Sequence, residues 1–119
     1  MSKIVFIGGG NMASCLIGGM IANGTPSQQI LVSEPGAEAR QKLSGLHGVE
    51  TTADNQAAAA QADLLVLAVK PQIMGAVVKD LAPVLSHKPA VVSIAAGIPL
   101  SALENWLGTD IALVRAMPN

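Results

Sequence analysis

Short apolar runs alternate along the chain with segments of helical periodicity. The first run, residues 3–7, is continuously apolar after its lysine and leads directly into three glycines. From Asn11 to about Asn23 apolar residues return every three to four positions, and Gly24 and Pro26 supply stop signals, so we predict a helix there. A strand, a glycine turn and a helix in this order indicate the beginning of an α/β domain.

The same alternation continues to Arg115. Further strands are predicted at residues 30–33, 48–52, 64–69, 90–93 and 111–115, and further helices at residues 37–46, 55–62, 71–85 and 101–107. Asp54 or Asn55 is placed to cap the third helix, and Ser101 with Glu104 has capping-box spacing for the fifth. The predicted fold class is therefore α/β, a Rossmann-type doubly wound parallel sheet in the order 3-2-1-4-5-6 with helices on both faces.

Composition limits the classes of partner. The 119 residues are the size of one domain, and although 50% are hydrophobic, no apolar run approaches the roughly 20 residues of a membrane helix. A net charge of -1 offers no basic surface for nucleic acid or anionic lipid. The lone Cys15 cannot form an internal disulfide and the start of the chain lacks a secretory signal, so we expect a cytoplasmic protein without nucleic-acid or membrane partners.

The glycine turn carries the first candidate chemistry. In a G-x-G-x-x-A pattern, Gly8 allows the tight turn, Gly10 lets the backbone approach a diphosphate, and Ala13 lets the helix pack on its strand. Unpaired N–H groups and the positive end of the helix dipole supply the anion site. The competing interpretation is an ordinary strand-to-helix turn. Its place between an apolar strand and a long helix favours the dinucleotide site.

Other polar residues follow strands at the same predicted edge. Ser33 and Glu34 lie about 20 residues beyond the glycines, where adenosine ribose is recognised. A carboxylate at Glu34 would bind a 2′-hydroxyl and repel a 2′-phosphate, or would simply face water; Ser33 with Arg40 could instead hold that phosphate. Asn55 either reaches the adenine side or caps its helix. The residues alone leave these alternatives open.

The fourth and fifth strands end in contrasting residues. Lys70 could place positive charge near the phosphates or the nicotinamide ribose, or could be a solvated lysine at a strand end. Residues 93–97 are mostly small and would let a flat ring approach the backbone. His47 and His87 are expected in surface loops without a metal partner, and Cys15 and Trp106 are expected to pack in the core.

Four motifs together resemble the pyrroline-5-carboxylate reductase family. They are FIGGGNMA at residues 6–13, AVKP at 68–71, VSIAAGI at 92–98 and VRAMPN at 114–119. The resemblance implies the last step of proline biosynthesis, in which NAD(P)H delivers hydride to the C=N carbon of 1-pyrroline-5-carboxylate to give L-proline. NADP(H) is the implied cofactor, and Glu34 keeps NAD(H) as the alternative.

The resemblance also implies site residues. Cofactor contacts are expected at Ile7, Gly8, Gly9, Gly10, Asn11 and Met12 for the pyrophosphate, at Ser33 and Asn55 for the adenosine side, at Ala68, Val69, Lys70 and Pro71 beside the nicotinamide half, and at Ala95, Ala96 and Gly97 in the nicotinamide wall. Met117, Pro118 and Asn119 are expected to border the substrate cleft. No catalytic residue is assigned, and no metal site is expected.

Family members continue past the last motif into a helical domain that dimerises and supplies most substrate contacts. Residues 1–119 are therefore expected to be the cofactor domain alone, inactive by itself, from an enzyme whose full-length form is a homo-oligomer built on dimers. Two other interpretations remain: a free-standing module that binds or senses dinucleotides, and the cofactor domain of a related 3-hydroxy-acid dehydrogenase or imine reductase.

Overall fold

A computed structural model of the chain describes residues 2–108 and 111–116. Within these residues the strands are β1 (Ile4–Ile7), β2 (Ile30–Ser33), β3 (Glu50–Thr52), β4 (Leu64–Leu67), β5 (Ala90–Ser93) and β6 (Leu113–Arg115). The helices are α1 (Asn11–Ala22), α2 (Ala37–His47), α3 (Asn55–Ala59), α4 (Pro71–Leu81) and α5 (Leu100–Leu107). Two short 3-10 helices, Ser27–Gln29 and Ala82–Val84, precede β2 and follow α4.

The six strands form one parallel sheet in the order β3-β2-β1-β4-β5-β6. This confirms the predicted doubly wound topology. The direction of the strand order reverses between β1 and β4, so the connections after these two strands leave on opposite faces of the sheet. That divergence opens a crevice at the carboxyl ends of β1 and β4.

Two apolar layers hold the sheet between its helices. Phe6 points toward α1 and α2, where it packs with Ile17 and Leu43, whereas Val5 and Ile7 point toward the layer of α3, α4 and α5. Because both faces of the central strands are covered, β1 can be apolar at every position. Trp106 packs against the second layer, as predicted.

Several predicted boundaries are wrong for identifiable reasons. The fourth helix ends at Leu81 and not near residue 85, because Pro83 has no N–H to donate and its ring opposes the carbonyl four residues earlier. The third strand begins at Glu50 and not at residue 48, because Gly48 adopts a left-handed conformation and caps α2. In addition, α3 ends at Ala59, β4 ends at Leu67 and β6 begins at Leu113, all inside their predicted ranges.

The predicted capping box of the fifth helix does not form. The helix begins at Leu100 with Pro99 as its N-cap residue and without a side-chain cap hydrogen bond. Since the helix starts before Ser101, the Ser101 hydroxyl lies within the first turn and not at the capping position. The serine therefore has no N-cap role here.

The prediction that Cys15 lies in the core is also wrong. Cys15 is exposed, and the side chains of α1 that are buried against the sheet are Ala13 and Ile17, one helical turn apart. Successive residues of an α-helix are rotated by about 100°, which places Cys15 on the far side from both. Met12, on the same helix, is also 49% exposed.

One face of the β4–β5–β6 half of the sheet is only partly covered. Val66, Val92 and Val114 are register partners across the three strands on the face that also carries α1 and α2. Val66 is 6% exposed whereas Val114 is 56% exposed. Apolar surface thus becomes progressively more open from β4 toward β6.

Candidate functional site

The turn after β1 requires glycine before any ligand is considered. Gly8 has a φ of +101°, and a Cβ atom there would lie 2.7 Å from the carbonyl oxygen of Ala68. A Cβ at Gly9 would lie 2.6 Å from a Cδ atom of Leu43. These two glycines allow the loop to pack directly on β4 and α2. They belong to the support of the site and not to its surface.

Gly10 has the opposite environment. A Cβ atom there would have no other atom within 4 Å, so its backbone faces open space. Gly10 is the N-cap residue of α1 without a side-chain cap, and the first helical bond runs from Ser14 N–H to the Gly10 carbonyl at 3.0 Å. The N–H groups of Asn11, Met12 and Ala13 therefore precede the helical ladder and are directed ahead of the helix, which is the arrangement of an anion site.

A cleft of about 320 Å³ opens beside this helix end. The lining residues come from the start of α1, the end of β4, the start of α4 and the segment after β5: Gly10, Asn11, Met12, Ala13, Ala68, Val69, Lys70, Pro71, Ile94, Ala95 and Ala96. Nine of them were predicted as cofactor contacts. Ala13 and Ile94 were not, although their positions next to predicted residues could have indicated them.

Parallel pairing brings these segments to one edge. The Ala68 N–H donates to the Ile7 carbonyl at 2.8 Å, and the Ile94 N–H donates to the Leu67 carbonyl at 3.1 Å. The register of β1, β4 and β5 thus continues one residue past each strand, where the chain turns outward. Small side chains at Ala68 and Ala95 keep the cleft open between the strand ends.

Lys70 is the cationic residue of this lining. It is exposed and serves as the N-cap residue of α4 with an extended backbone, followed by Pro71 in the first helical position. Proline is favoured there because its missing N–H is not needed in the first turn. The rigid start of α4 therefore holds the lysine at the mouth of the cleft.

The end of β2 is arranged differently, with its polar groups bonded to one another. Ser33 is fully buried, and its hydroxyl donates to Asn55 Oδ1 at 2.5 Å. Asp54, and not Asn55, caps α3, because its carboxylate accepts the Ala57 N–H at 3.0 Å. The structure thereby decides between the two predicted caps and leaves Asn55 beside Ser33.

Glu34 bridges the glycine loop and the start of α2. One carboxylate oxygen accepts the Gly9 N–H at 2.9 Å and the other accepts the Gly36 N–H at 2.7 Å. Arg40 Nη1 donates to the carbonyl oxygens of Glu34 at 2.7 Å and Pro35 at 2.9 Å. Glu34 is therefore partly buried and hydrogen-bonded, so the alternative of a carboxylate that simply faces water is wrong.

Six predicted cofactor contacts lie outside the cleft lining. Ile7 is fully buried beneath it, Gly8 and Gly9 form the underlying turn, and Ser33 and Asn55 form a separate pair at β2. Gly97 lies just beyond the lining with a φ of +79°. The predicted substrate-cleft residues Met117, Pro118 and Asn119 lie outside the described residues.

The two histidines make hydrogen bonds within the fold. His47 is the last residue of α2 and not a loop residue, and its Nε2 lies 2.9 Å from Ser14 Oγ on α1. His87 Nε2 lies 2.8 Å from the Ala62 carbonyl oxygen. Across residues 2–108 and 111–116, no group of three or more His, Cys, Asp or Glu side chains could hold a metal ion.

Within the same ranges, no helix has the length and apolarity needed to cross a lipid bilayer.

Known proteins are similar to this chain in sequence and in structure. The family described as NADP oxidoreductase coenzyme F420-dependent matches residues 3–97. A pyrroline-5-carboxylate reductase of Pseudomonas aeruginosa is 52% identical over 117 residues, which are 98% of this chain and 43% of the relative. The chain therefore spans less than half the length of this relative.

Solved structures give the same result. A pyrroline-5-carboxylate reductase of Coxiella burnetii has a TM-score of 0.94 and 43% identity, covering 99% of this chain and 44% of its own. Plasmodium falciparum pyrroline carboxylate reductase, solved with NADP bound, has a TM-score of 0.86 and 29% identity, covering 99% of this chain and 42% of its own. These likenesses confirm the resemblance to pyrroline-5-carboxylate reductases, and the match over residues 3–97 shows that the chain belongs to the family of NADP oxidoreductases described as coenzyme F420-dependent.

Proposed function

We propose that this chain is the cofactor-binding half of an enzyme that reduces 1-pyrroline-5-carboxylate to L-proline with NAD(P)H. The observation that carries the proposal is the open, uncapped start of α1 beside the cleft between the ends of β1, β4 and β5. The relatives named pyrroline-5-carboxylate reductase support the choice of substrate, and the NADP bound in the Plasmodium protein supports the class of cofactor.

The residues of the cleft fit a dinucleotide. The open space at Gly10 gives a diphosphate direct access to the backbone, and the N–H groups that follow supply donors without a cationic side chain. Ala68, Ala95 and Ala96 form a wall of small side chains against which a flat ring can pack. A bound reduced nicotinamide would supply the hydride, and this chain's residues would hold and orient it.

Lys70 has a supporting electrostatic role in this proposal. Its ammonium group at the cleft mouth lies where negative charge of the cofactor or of a carboxylate substrate would be attracted. We assign it no proton transfer. The imine also requires a proton on its nitrogen, and we propose that the groups contacting the substrate come mainly from outside residues 1–119.

A second domain is the further part of the proposal. The relatives are more than twice as long as this chain, and the apolar face at Val92 and Val114 is only partly covered by α1. We propose that a helical substrate domain packs on this face and closes the cleft from water. We further propose that the longer protein forms a homo-oligomer built on dimers. We place it in the cytoplasm, without nucleic-acid or membrane partners.

The test separates cofactor binding from turnover. Isothermal titration of residues 1–119 with NADPH and NADH should show binding, and absorbance assays with 1-pyrroline-5-carboxylate should show negligible turnover. The same gene product extended to the length of the relatives should reduce the substrate. Failure of the short chain to bind either nucleotide would overturn the proposal.

The same assays address the alternatives. An extended protein that oxidises a 3-hydroxy acid and leaves the imine unreduced would indicate the related dehydrogenase. Nucleotide binding with no reductase activity from the intact gene product would indicate a sensing module.

A further inference from the structure

The Glu34 carboxylate is fixed by two backbone donors at the adenosine end of the candidate site. The Gly9 N–H donates to one oxygen at 2.9 Å and the Gly36 N–H donates to the other at 2.7 Å. The Cβ and Cγ atoms of Glu34 also lie 3.1 and 3.2 Å from where a Cβ of Gly9 would be, so the side chain packs against the loop itself. The negative charge is therefore held in place and does not swing freely in solvent.

The position of this charge matters because Glu34 directly follows β2. In doubly wound dinucleotide domains, an acidic residue at the end of this strand accepts a hydrogen bond from the adenosine ribose. A carboxylate has about four lone-pair positions, and Glu34 uses one on each oxygen for its backbone donors. The carboxylate can therefore still accept a hydrogen bond from a ribose hydroxyl while it keeps its hydrogen bond to the glycine loop.

Two neighbouring polar groups already form hydrogen bonds within the fold. The Arg40 Nη1 that faces Glu34 donates to two backbone carbonyl oxygens. The Ser33 hydroxyl is fully buried and donates its proton to Asn55. Within residues 2–108 and 111–116, no cationic side chain forms an ion pair with the Glu34 carboxylate. A phosphate here would meet a fixed like charge.

We propose that Glu34 makes this site select NADH over NADPH. This inference rests on the proposed dinucleotide function and goes beyond it by naming the form of the cofactor and the residue that discriminates. The carboxylate accepts a hydrogen bond from the 2′-hydroxyl of NADH, and its fixed negative charge repels the 2′-phosphate of NADPH. Glu34 is thus a specificity-determining residue for the reaction.

The test is a comparison of dissociation constants by isothermal titration at low ionic strength. The unmodified chain should bind NADH at least about tenfold more tightly than NADPH, a difference of ~1.4 kcal/mol. Glu34→Gln keeps the size and one acceptor oxygen but removes the charge, so it should shift the ratio of the two constants toward NADPH by about tenfold. Added salt should reduce the preference of the unmodified chain, because screening weakens the repulsion.

Glu38→Gln is the matched control. Glu38 lies in the first turn of α2 and is exposed. Its replacement by Gln changes the net charge by the same amount as Glu34→Gln. It should leave the ratio of the two dissociation constants unchanged. If both variants shift the ratio equally, the effect belongs to overall charge and the inference is overturned.

A measurement that needs no variant covers the case in which Glu34→Gln does not fold. Adenosine 5′-monophosphate should compete with NADH for the unmodified chain more effectively than adenosine 2′,5′-bisphosphate. Equal competition, or tighter binding of NADPH than of NADH, would overturn the assignment of Glu34 and leave the proposed function in place. Binding of neither dinucleotide would overturn both.

Discussion

The two ends of the candidate site are built in opposite ways. At the cleft between α1, β4 and β5, the surface consists of backbone N–H groups and small side chains that leave space, such as Gly10 and Ala95. At the end of β2, the surface consists of polar side chains that bond to one another and to the loop, with Ser33 on Asn55 and Glu34 on Gly9. One end is open and ready for a ligand, whereas the other is already hydrogen-bonded internally.

This contrast separates two sources of recognition. In the proposed site, the cleft would recognise the cofactor through backbone geometry, so the important property of the cleft is its lack of bulky side chains at Gly10 and Ala95. The β2 end would recognise the cofactor through a fixed charge and the direction of its hydrogen bonds, so the important property there is which polar groups already have partners. Substitutions should accordingly act on folding, on affinity or on both, depending on the end they change.

The largest expected effect is on the turn that joins the two ends. Gly8→Ala places a methyl group 2.7 Å from the Ala68 carbonyl oxygen at a φ of +101°. Strain and overpacking together should lower the free energy of unfolding by about 3 kcal/mol or more, measured by urea denaturation. Gly24→Ala is the control, because its φ of +105° imposes the backbone strain without a nearby atom. If the two variants lose equal stability, the contact with β4 does not fix the turn.

The next effect should appear in affinity alone. Gly10→Val fills the open space at the start of α1, so dinucleotide affinity should fall about a hundredfold, or ~2.8 kcal/mol. Since no atom would meet the new Cβ, the midpoint of thermal unfolding should change little. Gly19→Val adds the same bulk on α1 at a position that is likewise open but away from the cleft. Retained affinity in Gly10→Val would show that the diphosphate does not approach this backbone.

A smaller change in stability should distinguish two buried serines. Ser33 and Ser93 are both fully buried at the last position of their strands. Ser33→Ala leaves the Asn55 oxygen without its donor and should cost about 1–2 kcal/mol of unfolding free energy. Ser93 accepts only a long 3.4 Å bond from the Ala95 N–H, so Ser93→Ala should cost less than about 1 kcal/mol. Chemical denaturation of both variants compares them directly, and an equal cost would contradict the tight pairing at β2.

The smallest expected effect is at the cleft mouth. Lys70→Met should weaken dinucleotide binding by about threefold, because an exposed charge contributes little and is screened by salt. Stability should be unchanged. Lys79→Met, on the last turn of the same helix, is the control and should leave affinity unaltered. A loss in Lys70→Met that persists undiminished at high salt would point to a direct hydrogen bond in place of a diffuse attraction.

The fold itself was accessible from sequence because its signals are local. The strands Ile30–Ser33 and Ala90–Ser93 were predicted at their observed bounds, because a short apolar run between turn residues is enough to indicate a strand. The predictions that were wrong depend either on a single residue type or on tertiary contacts. Pro83 ends α4 locally, whereas the exposure of Cys15 depends on which face of α1 meets the sheet.

The cleft was also largely predictable. Strand ends in a parallel sheet meet at one edge, so the motifs after β1, β4 and β5 could be placed together before any coordinates. Sequence could not assign Ser33, Glu34, Arg40 and Asn55 to their roles, because each has several possible hydrogen-bond partners and the choice depends on distances between segments far apart in the chain.

The sequence by itself therefore determined the order of the elements, the parallel sheet and the position of the candidate anion site, because periodicity, glycine and chain connectivity are properties of neighbouring residues. Only the tertiary structure decided that Glu34 accepts a hydrogen bond from Gly9 and that Ser33 donates one to Asn55. Those hydrogen bonds join residues more than 20 positions apart, and they exist only after packing has brought β2, α3 and the glycine loop within a few ångströms of one another.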